Sequence, residues 1–190
     1  MIVFCVIGKV HGQSERKHYF GAHYLLGYHN YNSSSVKLGS SKEYEGTSYY
    51  GLGLDYRYRF SENTELCLGI SATINKMVLT SSQIGGSTSY YDDALPIFSL
   101  PVHFRHYFSN YFFIGGGPCL NIHQSMGYKG GIGIEINAGV EYVFKSGLTV
   151  SVSPRVQWNL LSVFGNEDPF NANMDILSQM GVNIGLGYSF

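Results

Sequence analysis

The sequence predicts an all-β protein, a closed eight-stranded antiparallel up-and-down transmembrane barrel. Three observations predict it. Charged residues are 13% of the 190 residues while aromatic residues reach 15%, with sixteen Tyr and twelve Phe; an ordinary soluble domain carries about 25% charge. No stretch approaches the roughly 20 consecutive apolar residues a membrane helix requires, so only strands, which show lipid every second side chain, could span a bilayer. Finally, the chain closes on MGVNIGLGYSF, where Val182, Ile184, Leu186, Tyr188 and Phe190 share one face and Gly and polar residues share the other, the period of two that defines a strand.

The elements follow in order. Residues 1–12, MIVFCVIGKVHG, resemble the end of a secretory signal peptide cut after Gly12, with a short apolar run and small or compact residues before the cut. The barrel is expected over 17–190, as one domain. Alternation places strands at 18–31, 48–60, 65–77, 94–108, 112–123, 131–144, 148–161 and 175–190. The connectors at 61–65, 109–111 and 145–147 are short, and the last, KSG, suits a three-residue hairpin with Gly147 left-handed. The others, 32–46, 81–93, 124–130 and 165–174, are longer and polar. Short turns at one end and long loops at the other are the asymmetry of an outer-membrane barrel, with turns and termini in the periplasm and loops outside.

A soluble lipocalin-like carrier would also have eight strands, but with its apolar face turned inward. Charge placement decides between them. Arg57, Arg59, Arg105 and Arg155 lie inside strands on the face opposite the bulky apolar set, together with Asp55, Glu135, Glu141 and Asp175. Lysines fall in the leader, at strand ends, as at Lys76, or in connectors. A water-facing exterior would carry Lys and Glu scattered along the strands. The expectation is therefore a lipid-facing apolar wall and a narrow, filled, polar lumen, with aromatics concentrated toward strand ends as an interfacial girdle. The lumen set is Asp55, Arg57, Arg59, His103, Arg105, Glu135, Asn137, Glu141, Arg155 and Gln157.

Local register sharpens this. If KSG pairs Phe144 with Leu148, Arg155 lies opposite Asn137 and diagonal to Glu135, within reach of an ion pair. Pairing Phe108 with Phe112 sets Arg105 opposite Gly115 and His103 opposite Gly117, the glycines leaving room for long polar side chains. These groups fill and zip the lumen; eight strands leave no open channel. Pro101, Pro118 and Pro154 fall within strands, where each removes a ladder hydrogen bond, and bulges are expected there.

Other chemistry finds little footing. His103 and His106 point to opposite faces, and Cys5, Cys67 and Cys119 are too scattered for a disulfide framework or zinc site, so no metal or other cofactor is expected. A lipid-modifying barrel enzyme would need a His and a Ser together on the lipid-facing wall; His106 faces lipid, but Ser109 is in the turn without an outward acid. The glycines 115–117 lie inside a strand with no helix to follow, which is not a phosphate cradle. A net charge of -1 argues against nucleic acid.

The stretch SLPVHFRHYFSNYFFIGGGPCLNI, 99–122, resembles the central hairpin of the bacterial outer-membrane β-barrel domain family, small porin-like proteins common in Bacteroidetes and similar in fold to OmpA/OmpX-type barrels. Leu100, Pro101, Val102, Arg105, Tyr107, Phe108, Gly115, Gly117 and Pro118 carry the match. The resemblance implies an outer-membrane location and no catalytic residues. It also implies that the terminal strand, Val182, Ile184, Leu186, Tyr188 and Phe190, is the signal read by the barrel assembly machinery. The function expected is non-enzymatic, in envelope structure or surface interaction through the loops, with outer-membrane lipids as surroundings.

Overall fold

In the computed structural model the chain is described over residues 16–32, 40–83, 88–124, 128–162 and 174–190. The predicted leader and the centres of all four long connectors lie outside these. Eight antiparallel strands close into a barrel in simple sequence order: β1 (His18–Asn32), β2 (Ser40–Ser61), β3 (Thr64–Gln83), β4 (Thr88–Tyr107), β5 (Phe112–Gln124), β6 (Tyr128–Val143), β7 (Leu148–Ser162) and β8 (Met174–Ser189). The seam runs from Tyr19↔Ser189 to Asn32↔Ile176, and at its end Phe190 N donates to His18 O at 2.8 Å. The terminal strand therefore joins first to last and leaves no backbone edge along the shared length.

Alternation sorts the walls as the sequence requires. The bulky apolar side chains point out, with Leu52 at 66%, Phe98 at 60% and Ile132 at 61% exposure, while Arg57, Arg105, Glu135, Glu141 and Arg155 are buried inside. Stacked and edge-on aromatic pairs ring the turn end: Phe108 with Phe112, Tyr111 with Tyr142, Phe60 with Phe104, and Tyr188 with Phe190.

Three expectations need correction. First, much of the predicted loops 32–46 and 81–93 is strand. β2 begins at Ser40 and β4 at Thr88, and β3 runs to Gln83, with pairs as far as Ser40↔Gln83 and Ser82↔Thr88. A bulge hid the start of β2: between the pairs Gly46↔Met77 and Tyr49↔Asn75, two residues oppose one, which breaks the alternation a sequence reading follows. These extensions rise past the last β4–β5 pair, Ile97↔His123, and past the last β1–β2 pair, Tyr28↔Ser48. Second, Lys76 is not at a strand end. It sits within β3 on the outer wall, its Nζ 5.8 Å from the Tyr50 ring centroid, at the upper edge of the apolar belt. Third, the prolines make no bulges. Leu68↔Val102 and Ser71↔Ser99 keep one register across the gap beside Pro101, and Asn137↔Arg155 and Val140↔Val152 do so beside Pro154. Pro118 likewise pairs with Ile134 in an unbroken β5–β6 ladder. Each proline loses pairing on one side only, so the missing N–H is absorbed without inserting a residue.

The tight turn at 145–147 takes the predicted form. Gly147 has φ of 100° and its N–H donates to Phe144 O at 2.9 Å. A Cβ at Gly147 would also come within 2.7 Å of Ser189 O. Gly147→Ala is expected to destabilise the barrel by about 1 to 2 kcal/mol, the penalty of an L residue in this region; the midpoint of urea unfolding in detergent micelles measures it.

Candidate functional site

The polar groups of the interior come from every strand and meet in layers along the barrel axis. Alternation delivers them: inward positions on neighbouring strands stand side by side, and glycines face the larger ones. Tyr19 lies over Gly21 and Gly187, His23 over Gly53, and Asn159 over Gly133, each so close that a Cβ on the glycine would collide.

The layer nearest the turns is ionic. Arg57 Nη1 donates to Glu141 Oε2 at 2.6 Å and to Glu65 Oε2 at 3.3 Å, and its Nε is 3.2 Å from Asp55 Oδ2. Arg105 Nη1 donates to the same Glu141 oxygen at 3.1 Å, and Arg59 binds Glu65 Oε1 through Nε at 2.8 Å and Nη2 at 2.5 Å. The Tyr107 hydroxyl lies 2.9 Å from Glu141 Oε1 and 3.1 Å from Glu65 Oε2, so its single proton serves one carboxylate at a time. Two guanidinium groups lie over rings, Arg57 3.3 Å from the Tyr19 centroid and Arg105 3.9 Å from that of Phe113, an attraction to the negative face of the ring. Buried ions are tolerated only when paired and hydrogen-bonded in this way.

Above it His23 Nδ1 is 3.3 Å from Asp55 Oδ1. His103 is buried at this level and makes no hydrogen bond among the described residues. Next comes a second ion pair, Arg155 to Glu135 at 3.3 Å, with Asn137 Nδ2 donating to Glu135 at 3.1 Å and Arg155 also bonded to Gln157. Gln157 passes the chain on to Asn159 at 2.7 Å, Asn121 donates to the same Asn159 oxygen at 2.8 Å, and Ser99 donates to Asn121 at 2.6 Å. Gln179 of β8 reaches Asn75 of β3 at 2.6 Å. Toward the loops the lumen turns apolar, in a cluster of Met77, Leu95, Ile97 and Leu177.

The structure thus brings Asp55, Arg57, Arg59, Arg105 and Glu141 into the lower layer and Glu135, Asn137, Arg155 and Gln157 into the upper one, with His103 between. The expected neighbours Asn137↔Arg155 and Arg105↔Gly115 are direct pairs, and a Cβ at Gly117 would meet the His103 backbone at 2.7 Å. Glu65, Tyr107, Tyr19 and His23 were not among the sequence-derived lumen residues. The signal was present: Tyr107 shares parity with His103 and Arg105, and Glu65 with Cys67, but an aromatic at a strand end reads as girdle and Glu65 stood in an apparent turn. Asp175 falls in β8, with its side chain outside the described residues.

Among the described residues no group of three or more His, Cys, Asp or Glu could hold a metal. Cys67 and Cys119 are buried free thiols. On the outer wall His106 Nδ1 is 3.2 Å from Thr64 Oγ1, while Ser109 Oγ accepts from the amides of Tyr111 and Phe112 and so closes the turn.

No family model matches this chain, and no curated protein does. Solved structures share its fold. OprG from Pseudomonas aeruginosa is similar over 94% of this chain and 98% of its own, at 14% identity and a TM-score of 0.50. Neisserial surface protein A is similar over 91% and 97%, at 14% identity and 0.52. The outer membrane protein AlkL, solved in DMPC bilayers, is similar over 100% and 97%, at 12% identity and 0.56. The fold is that of small outer-membrane barrels, and none of these three singles out the Bacteroidetes family suggested by residues 99–122.

Proposed function

We propose that this chain, a closed barrel with the fold of small outer-membrane proteins, resides in the bacterial outer membrane as a non-conducting, non-enzymatic barrel. In this reading it acts in envelope structure or at the cell surface through what it carries beyond the bilayer. One observation carries the proposal: the strand arginines are paired with carboxylates inside the cylinder, while the outer wall between the turn-end aromatics and Lys76 is almost entirely apolar. Such a wall suits hydrocarbon, and such an interior is a filled one. The cross-lumen bonds, Arg57 of β2 to Glu141 of β6 and Gln179 of β8 to Asn75 of β3, support a sealed bore.

The surface contact is expected through the β2–β3–β4 extension together with the long connectors, since those strands continue beyond their neighbours on the loop side. The terminal strand, Val182 to Phe190, serves in this reading as the signal for the assembly machinery. A lipid-modifying enzyme is the second reading; the engagement of Ser109 with turn amides rather than with His106 speaks for the first.

Two measurements test the proposal. The folded protein in detergent should migrate faster on gels unheated than boiled, and planar bilayers containing it should show no discrete conductance steps. Stable single-channel steps would defeat the sealed-lumen reading, and a chain soluble without detergent would defeat the membrane reading. A lipid A mass profile that changes when the protein is expressed would defeat the non-enzymatic one.

A further inference from the structure

At the turn end, where β1, β2 and β8 come together, a narrow pocket with room inside for about one water-sized atom opens under the ionic layer, its wall including Arg16, Lys17, His18, Arg57, Arg59 and Glu65. Charge decides what it can hold. In the layer above, Arg57, Arg59 and Arg105 are matched by Asp55, Glu65 and Glu141. Glu65 is the one acid on the described wall, and both its oxygens are engaged, Oε1 by Arg59 at 2.5 Å and Oε2 by Arg57 at 3.3 Å. Among the described residues no carboxylate pairs with Arg16 or Lys17.

The Arg16 guanidinium is held by neutral carbonyls, Nη2 donating to Lys145 O at 2.7 Å and Nη1 to Phe144 O at 3.3 Å. Those bonds fix its position without cancelling its charge. Arg57 adds the second observation: it is 1% exposed, lines the pocket, and its Nη2 has no hydrogen-bond partner among the described residues. A buried guanidinium N–H without an acceptor is costly, and an oxyanion is the group that satisfies it while neutralising the mouth. A cation would be repelled.

The pocket also borders the lipid-facing wall. His18, on its rim, lies 2.7 Å from the Tyr56 hydroxyl and stacks on Phe190 with centroids 5.6 Å apart, within the aromatic ring of the turn end. That is the level at which interfacial aromatics meet headgroups.

We propose that this mouth binds a phosphate group at its opening, held by Arg16 and Lys17, with one oxygen reaching in toward Arg57 Nη2. Phosphate offers oxygens to donors arriving from several directions, which a carboxylate's two oxygens match less well. The phosphate is that of an inner-leaflet lipid headgroup or of a free ester; the lipid source rests on the membrane reading above, and the free source does not.

The test uses the full chain folded in uncharged maltoside micelles, titrated with inorganic phosphate by calorimetry, and the same protein in nanodiscs of mixed phosphatidylglycerol and phosphatidylcholine, with retained lipid identified by mass spectrometry. Saturable phosphate binding in micelles, weakened roughly tenfold in Arg16→Gln/Lys17→Gln, supports the site with a free ester as ligand. Phosphatidylglycerol retained on the purified barrel and lost in the double variant supports it with a lipid headgroup. Lys76→Gln, which removes an outer-wall cation at the opposite edge of the apolar belt, should change neither. Neither binding nor retention, or binding equal in wild type and double variant, overturns the proposal. Heat-modifiable migration of every variant shows separately whether the barrel itself has formed.

Discussion

Glu141→Ala is expected to cost the folded barrel about 3 to 5 kcal/mol, the range for breaking a buried ion pair from one side. Glu141 Oε2 receives both Arg57 at 2.6 Å and Arg105 at 3.1 Å, and Oε1 lies 2.9 Å from the Tyr107 hydroxyl. Removing it leaves two guanidinium groups, buried to 1% and 6% exposure, short of a counter-charge. Urea unfolding in micelles, followed by tryptophan fluorescence from Trp158 or by gel migration, reads the loss. The physical cause is separable from simple loss of volume. Arg57→Met and Arg105→Met combined with Glu141→Leu should recover much of the stability, because both guanidinium groups leave with the carboxylate they share, while Glu65 keeps Arg59 and Asp55 keeps His23. If Glu141→Ala unfolds at the wild-type urea concentration, the layer is not what holds the interior together.

Ile70→Arg tests the other wall. Ile70 is 59% exposed at the middle of the apolar stretch Leu66–Ile74 of β3, and it pairs with Leu54 on β2, itself 45% exposed. An arginine at the bilayer midplane costs about 2 to 4 kcal/mol on the lipid face of a barrel, falling toward zero at the interfaces. The variant is therefore expected to assemble poorly in vesicles. The same substitution at Lys76, the upper edge of the belt, should be nearly neutral because a cation is already present there. Equal folding of Ile70→Arg and wild type in a thick bilayer would show that this wall does not meet hydrocarbon.

The two variants exchange the roles of an arginine inside and outside, which is where the sequence was most legible. Arg57, Arg105 and Arg155 were assignable to one face because each sits an odd number of residues from the bulky apolar positions of its own strand. The pairing of Arg155 with Asn137 was legible too, because a three-residue turn ending in a left-handed Gly147 sets the register of β6 against β7. Where alternation lapsed, so did the reading. The bulge at Thr47 and Ser48 shifts the parity of β2, and polar runs such as LTSSQ and TSYYDD carry no contrast between faces above the apolar belt, so strand there reads as loop.

Strand number, the facing of side chains and the register of hairpin neighbours were determined by the sequence alone, since all three depend on a period of two and on turns a few residues long. What the tertiary structure decided is who meets across the lumen: Arg57 with Glu141, 84 positions apart, and Gln179 with Asn75, 104 apart. Those meetings depend on strand tilt and stagger around the closed sheet, which are properties of the whole cylinder and are written in no single pair of strands. The same closure brings Arg57 of β2 to one mouth beside Arg16 and Lys17, which precede β1.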